Sequence, residues 1–354
     1  MIGLYVHIPY CRGQKCPYCD FYSVPYQLWA ASDYIAAVRR NIEFYNERYD
    51  TVYFGGGTPS LLSDEISSLL GVIRYADDAE VTIEANPRSL DIDNLKLLHA
   101  CGVNRISIGV QSFMDTELSA LGRKHDSEDA VTAINLAKDA GFDNISIDLM
   151  LGIPRQSIGS VKRTMSVLEK LPVTHVSAYM LKIEEGTEFH TQNVKVNDDY
   201  SAELYLEAAR GLDRLGYTQY EISNFSKPGF ECRHNLKYWR SEEYLGIGSG
   251  AHSYYKGERF EVMKDSEAFT KSPVQQTRIT DKHPTSFADF AMLKLRLSEG
   301  LAFAEAARFG VSEAMLRERT RTVPFNYLKM NASGLSLTRE GFLVSNEIIT
   351  KIIG

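Results

Sequence analysis

The chain has 354 residues, 44% of them hydrophobic and 24% charged, which is ordinary for a folded protein with one large domain and room for a smaller appendage. Lysine and arginine number 39 against 46 aspartates and glutamates, and the net charge of -7 excludes the basic surface on which general nucleic-acid binding rests. No apolar run is long enough to cross a bilayer, and Met1 is followed by neither a basic n-region nor an apolar h-region, so no transmembrane segment, no secretory signal and a cytoplasmic location are expected.

The first predicted element is a strand, LYVHI (4–8), and it runs into a loop carrying Cys11, Cys16 and Cys19. Three thiolates from one loop can hold three irons of a 4Fe-4S cluster and leave the fourth iron open for chemistry, just as catalytic metal sites keep a vacant position. Half a zinc site is the first alternative, but it wants a fourth ligand at short range. His7 is near, yet it lies in the alternating run of the strand. A disulfide framework is the second; it needs an oxidising compartment, and five cysteines make an odd, sparse set.

Downstream, short β-branched or alternating runs recur at 51–56, 80–86, 105–111, 144–152 and 175–181. Helical patterns separate them at 33–48, 63–76, 91–101, 128–140 and 161–171. Strands alternating with helices imply parallel βα units, and six are too few for a closed eight-stranded barrel. The expected fold is therefore α/β, a partial (β/α)6 TIM-like barrel, with its chemistry on loops after the carboxyl ends of the strands. Unusual residues stand at those ends: Gly55, Gly56, Gly57, Thr58 and Pro59 after the second strand, Glu84 on the third, Gln111 on the fourth and Asp148 on the fifth. Glycines there let a ligand touch backbone. A glycine run can equally be a plain turn, and a lone carboxylate a helix cap or a paired core group.

The segments HIPYC, CPYCDF, GGGTPS, RISIGVQSF, LGRKH, DLMLGIP and YEISNF together resemble the radical S-adenosylmethionine (SAM) superfamily, in the branch around oxygen-independent coproporphyrinogen III oxidase. The resemblance covers essentially the whole chain. It implies a 4Fe-4S cluster on Cys11, Cys16 and Cys19, SAM on the open iron, and a reductant for the cluster. It also implies that Gly56, Gly57 and Thr58 meet the methionine amino group of SAM, that Glu84 and Gln111 reach its ribose or carboxylate, and that Arg123 pairs with its carboxylate. Asp148 is expected beside the adenosine, Tyr5 and Tyr18 beside the cluster, and Lys182 and His252 close by.

Two departures choose within the branch. The oxidase carries a further cysteine where this chain has Phe21, and it begins with a long extension for which there is no room before Tyr5. Both point to the sister group, the HemW-type heme chaperones, rather than to conversion of propionates to vinyl groups. His234, Asn235, Leu236, Lys237, Tyr238 and Trp239 match the HNxxYW motif associated with heme in that group. An imidazole can ligate iron, Tyr238 and Trp239 offer flat faces, and Asn235 can orient the ring; packed core is the alternative. Cys232 stands nearby without a C-x-x-C-H attachment pattern. A third departure is the four-residue spacing Arg12, Gly13, Gln14, Lys15 where the family has three, expected to bulge outward at the glycine.

The resulting expectation is a cytoplasmic heme chaperone that passes heme to an acceptor protein. The alternatives are the oxidase itself and an iron-sulfur protein with a vestigial SAM site. The barrel and heme motif are assigned to 1–255, where GIGSGAHSY (246–254) finishes the SAM-side wall, and a polar surface linker to 256–282. Residues 283–354 then form a small winged-helix-like domain, with helices at 287–298 and 302–309, a wing bracketed by Leu337 and Phe342, and a final helix.

Overall fold

The computed structural model describes residues 1–13, 15–284 and 286–354; Gln14, within the expected bulge between Cys11 and Cys16, lies outside the described residues. Six parallel strands lie side by side in chain order: β1 (Ile2–Ile8), β2 (Arg48–Gly56), β3 (Arg74–Ala85), β4 (Arg105–Gln111), β5 (Asn144–Leu151) and β6 (His175–Met180). Helices Leu28–Tyr45, Ser63–Leu70, Ile92–Ala100, Ser127–Asp139 and Ile158–Leu168 connect them and cover the outer face. Period-two alternation decides which side chains face where. Leu4, Val52, Ile83, Ile106, Ile147 and Val176 belong to one buried apolar core. The intervening residues are polar yet also buried, among them Thr51, Glu80, Thr82, Arg105, Ser107, Ser146, His175 and Ser177. The barrel is oily outside and polar within.

The sheet is larger than six strands. Tyr244–Ile247 adds a seventh parallel strand beside β1, with Leu4 opposite Leu245, so part of the segment read as a glycine-rich wall is itself sheet. Residues 256–282, expected to loop over the surface, instead contain strands Glu258–Val262 and Thr277–Asp281 and helix Ser266–Lys271. Phe269 anchors them, its ring 4.8 Å from that of buried Tyr34. The helix expected over 63–76 stops at Leu70, because the chain from Arg74 is taken by pairing with β2 (Tyr49 opposite Tyr75).

Residues 287–354 form a second core around Leu295, Leu301, Leu316, Leu335 and Ile352. Its helices are shorter than expected, Phe287–Lys294 and Phe303–Ala307. The hairpin joins Leu328–Met330 to Gly334–Leu337 and so precedes Leu337 rather than following it. Asn331 causes this by accepting the backbone N–H groups of Ser333 (2.8 Å) and Gly334 (3.0 Å) to close a turn, while Thr338 caps the next helix, Arg339–Leu343. Among the described residues no helix is long and apolar enough to cross a membrane.

Candidate functional site

The thiol loop is seated on the end of β2 by backbone hydrogen bonds from Gly57 to Ile8 (2.7 Å) and from Thr58 to Tyr10 (2.8 Å). A Cβ on Gly57 would lie 2.5 Å from the Tyr10 carbonyl oxygen, so this glycine is required by the loop pressing on the strand end, not only by a ligand. Cys11, Cys16 and Cys19 are all free and partly buried. Burial pushes the Cys11 thiol up, with the hydroxyls of Ser23 and Thr58 pulling the other way, and burial likewise raises Cys19. The Cys11 and Cys19 thiols both lie within range of the Cys16 charge, yet among the described residues no three His, Cys, Asp or Glu groups already form an ion cage. Thr58, expected at the SAM amino group, touches Cys11.

Arg123 ties this loop to the strand ends. Its guanidinium donates toward the Cys16 sulfur and the Tyr18 hydroxyl (both 3.4 Å) and to the Gly109 carbonyl oxygen (2.8 Å). Gln111 stands beside it in the left-handed region, at φ 66°, where β-strands do not normally place a side chain. Glu84 accepts from the Tyr53 hydroxyl (2.9 Å) and the Gly56 N–H (3.0 Å). Burial, then the Asp148 charge, pushes Glu84 up to about 7; burial pushes Asp148 up to about 6 against hydrogen bonds from Ser177 and Ser107. Two carboxylates raised toward neutrality in one polar lumen are a common signature of a functional site. Tyr5 bonds His7 Nδ1 (3.0 Å) and stacks on Tyr53 at 6.1 Å. Lys182 is exposed and paired with Glu184, and His252 faces Glu261 at 3.7 Å.

The structure therefore brings Cys11, Cys16, Cys19, Tyr18, Gly56, Gly57, Thr58, Glu84, Gln111, Arg123 and Asp148 to one rim. The HNLKYW segment lies elsewhere, as helix Arg233–Trp239 at the opposite end of the strands beside Thr51. His234 is 1% exposed, and both its nitrogens are engaged, Nδ1 with the Thr51 hydroxyl (2.8 Å) and Nε2 with the Tyr238 hydroxyl (2.7 Å). Its ring stacks on Tyr53 at 5.2 Å, and burial, Lys237 and Arg105 drive its pKa down to about 3. The imidazole thus has the packed-core arrangement, with both nitrogens hydrogen-bonded to hydroxyls. Among the described residues Asn235 makes no side-chain hydrogen bond to it. Tyr238, one turn on, shares its face of the helix, whereas the next residue points away. Trp239 is partly buried beneath Arg296, 5.8 Å from its ring.

Two residues that the motif reading missed hold this helix. Glu80 accepts the N–H groups of Arg233 and His234 (both 3.0 Å), and the Cys232 thiol points at it from 3.6 Å. Arg105, fully buried in the lumen, faces Glu80, and its Nε and Nη1 have no partner among the described residues. Period two was the available signal. In EVTIEAN it puts Glu80, Thr82 and Glu84 on one face, and in RISIGVQ it puts Arg105, Ser107 and Gln111 on one face.

Comparison with known proteins places the architecture. Residues 5–168 match the radical SAM superfamily. The fold superposes on coproporphyrinogen III oxidase (HemN) from Escherichia coli, a radical SAM enzyme, with TM-score 0.81 and 22% identity over 99% of this chain and 89% of that one. The chain is 34% identical to heme chaperone HemW of Haemophilus influenzae, covering 98% of this chain and 97% of that protein. It is also 34% identical to heme chaperone HemW of Escherichia coli, over 98% and 97%. A likeness of that extent spans barrel and carboxyl-terminal module alike, and this chain belongs to the HemW family of the radical SAM superfamily.

Proposed function

We propose that this protein is a heme chaperone that holds a 4Fe-4S cluster on Cys11, Cys16 and Cys19 with SAM at the adjoining rim, and that hands heme to an acceptor protein. The near full-length similarity to heme chaperones carries the heme part of this reading. The Arg123 contact with Cys16 carries the cofactor part, because it joins the thiol loop to the polar strand ends.

The residues fit the cofactors. A thiol set on one loop is the donor chemistry of an iron-sulfur cluster. Arg123 is a rigid fork next to Cys16 and is suited to the SAM carboxylate, while Glu84, Gln111 and Asp148 supply acceptors for ribose and adenosine. When bound, the cluster supplies an electron to SAM. The chain's own part is to orient SAM against the thiol loop through Arg123 and to keep the lumen closed by the packing of Tyr5 on Tyr53. The cysteine characteristic of the oxidase is replaced by Phe21, whose side chain is exposed.

The test combines anaerobic reconstitution, heme titration and transfer to an apo-hemoprotein. About four irons per chain, lost in Cys16→Ser, together with heme delivery to the acceptor, supports the proposal. Iron near zero after reconstitution removes the cluster. Efficient formation of protoporphyrinogen from coproporphyrinogen III and SAM identifies an oxidase instead.

A further inference from the structure

Three tyrosines of the lumen each stand beside a base. The Tyr53 hydroxyl donates to Glu84 (2.9 Å), the Tyr5 hydroxyl bonds His7 Nδ1 (3.0 Å), and the Tyr238 hydroxyl bonds His234 Nε2 (2.7 Å). In the tautomer that carries its proton on Nδ1, facing Thr51, the imidazole of His234 accepts from Tyr238. Plain core packing asks for less. A buried phenol is satisfied by a backbone carbonyl, as Tyr10 is by Ala30 and Tyr217 by Val173.

The same rings form a continuous string. Tyr5 lies 6.1 Å from Tyr53, Tyr53 lies 5.2 Å from His234, and His234 lies 5.1 Å from Tyr238. It starts beside Glu84, at the rim assigned to SAM, and ends on the HNLKYW helix at the opposite end of the strands. A phenol gives up an electron readily only when a neighbouring base takes its proton, because the oxidised phenol is a strong acid. Tyr53 and Tyr238 meet that condition. Tyr244 continues the string at 4.4 Å, but its hydroxyl makes no hydrogen bond among the described residues, so the chemistry stops at Tyr238. Tyr220 has a base, His175 (2.7 Å), yet its ring touches none of the string's rings. The cavity of about 510 Å³ that opens beyond Arg240 also lies off the path, and its charged lining pairs within itself, Lys294 with Glu299 and Glu305 and Arg240 with Glu299.

Resting on the cluster and SAM reading above, we propose that Tyr53 and Tyr238 form a redox relay that carries one oxidising equivalent from the SAM site down the lumen to the motif helix. The oxidant is a carbon-centred radical from SAM cleaved by the reduced cluster. Tyr53 gives that radical its phenolic hydrogen atom, so an O–H bond breaks and a C–H bond forms. Tyr238 then gives an electron to Tyr53 and its proton to His234 Nε2, while Glu84 returns a proton to the Tyr53 oxygen. Burial raises Glu84 to about 7, so near neutral pH its carboxyl has a proton to return. The sum is one hydrogen atom moved from Tyr238 to carbon and one proton moved from Glu84 to His234. Within HNLKYW, His234 and Tyr238 then act as a pair.

Freeze-quench electron paramagnetic resonance of the full-length protein, reconstituted, reduced and mixed with SAM, reads the relay as a tyrosyl signal. Iron content and 5′-deoxyadenosine are measured on the same samples, and circular dichroism verifies the folding of each variant. The native signal is expected to narrow in protein grown on ring-deuterated tyrosine. It is expected to be lost in Tyr53→Phe. Tyr238→Phe and His234→Phe are expected to strand the radical upstream and so to share one altered hyperfine pattern, whereas Tyr220→Phe keeps the native spectrum. A native spectrum in either folded Tyr53→Phe or folded Tyr238→Phe overturns the relay. So does 5′-deoxyadenosine formation by native protein without a tyrosyl signal, and so does the absence of 5′-deoxyadenosine from protein with a full cluster, because the relay then has no oxidant. Iron near zero refutes the cluster reading and the relay together.

Discussion

Replacing His234 with alanine probes the packing beneath the barrel. The substitution removes a ring that is 1% exposed and stacked on Tyr53, and it strands the hydroxyls of Thr51 and Tyr238. A buried ring of this size leaves a cavity worth about 2 kcal/mol, the low end for large-to-small changes because imidazole is polar. Two stranded hydroxyls add about 1 kcal/mol each, again at the low end because Tyr238 is only partly buried. The expected loss is about 4 kcal/mol, roughly a quarter or more of a typical domain's stability. Urea unfolding followed by the fluorescence of Trp29 and Trp239 reads it as a midpoint lowered by about 1 M at unchanged slope. The pH dependence gives an independent check. The folded pKa of about 3 lies below the ordinary histidine value, so the unfolded chain takes up the proton first, and stability present above pH 6.5 drains away on acidification toward pH 3. The drain is about 1.4 kcal/mol per pH unit at its steepest, and His234→Phe is expected to remove it. A destabilisation below about 1 kcal/mol in the alanine variant, with an unaltered acid limb in the phenylalanine variant, refutes the packing described.

Gly57→Ala is expected to push the thiol loop off β2, because the new methyl group meets the Tyr10 carbonyl; a loss of about 2 kcal/mol in thermal unfolding and a lower iron content after reconstitution are the readouts. Arg123→Met is expected to weaken SAM binding by about tenfold to a hundredfold in equilibrium dialysis, since it deletes a charge-assisted fork, and equal affinity refutes the assignment. Glu84→Gln tests the rim electrostatics. With a folded pKa raised to about 7, native protein gains stability from protonated Glu84 below pH 4.5 and loses it as pH rises through 7. The glutamine variant is expected to lack that alkaline decline in denaturation profiles taken from pH 5 to 8.

The strands were legible because each carries its period in plain view. RISIGVQ spans the observed β4 residue for residue, and the other five runs fall on strands of the barrel. Helix ends read less well where tertiary pairing competes: Arg74 to Ala76 continue a helical pattern but are claimed by β2. The polar composition of 256–282 hid a helix and two strands, because edge strands exposed on one face need few apolar residues. The rim residues were legible as a set, since parallel βα units send every strand's carboxyl end to the same side. The histidine motif was legible as a motif, but its burial was not. That depended on Thr51, distant in sequence, arriving within 2.8 Å.

Order along the chain by itself determined the α/β class, the six parallel units, the thiol loop and the single rim on which glycines, carboxylates and Arg123 meet, because hydrophobic period and strand direction are local properties. Only the tertiary structure decided that the lumen holds Arg105 with two nitrogens lacking a hydrogen-bond partner among the described residues, that Glu80 anchors the motif helix, and that His234 is buried while a cavity opens beyond Arg240. Those outcomes depend on which distant side chains share a volume and compete for the same hydrogen bonds, and spacing along a sequence does not carry that information.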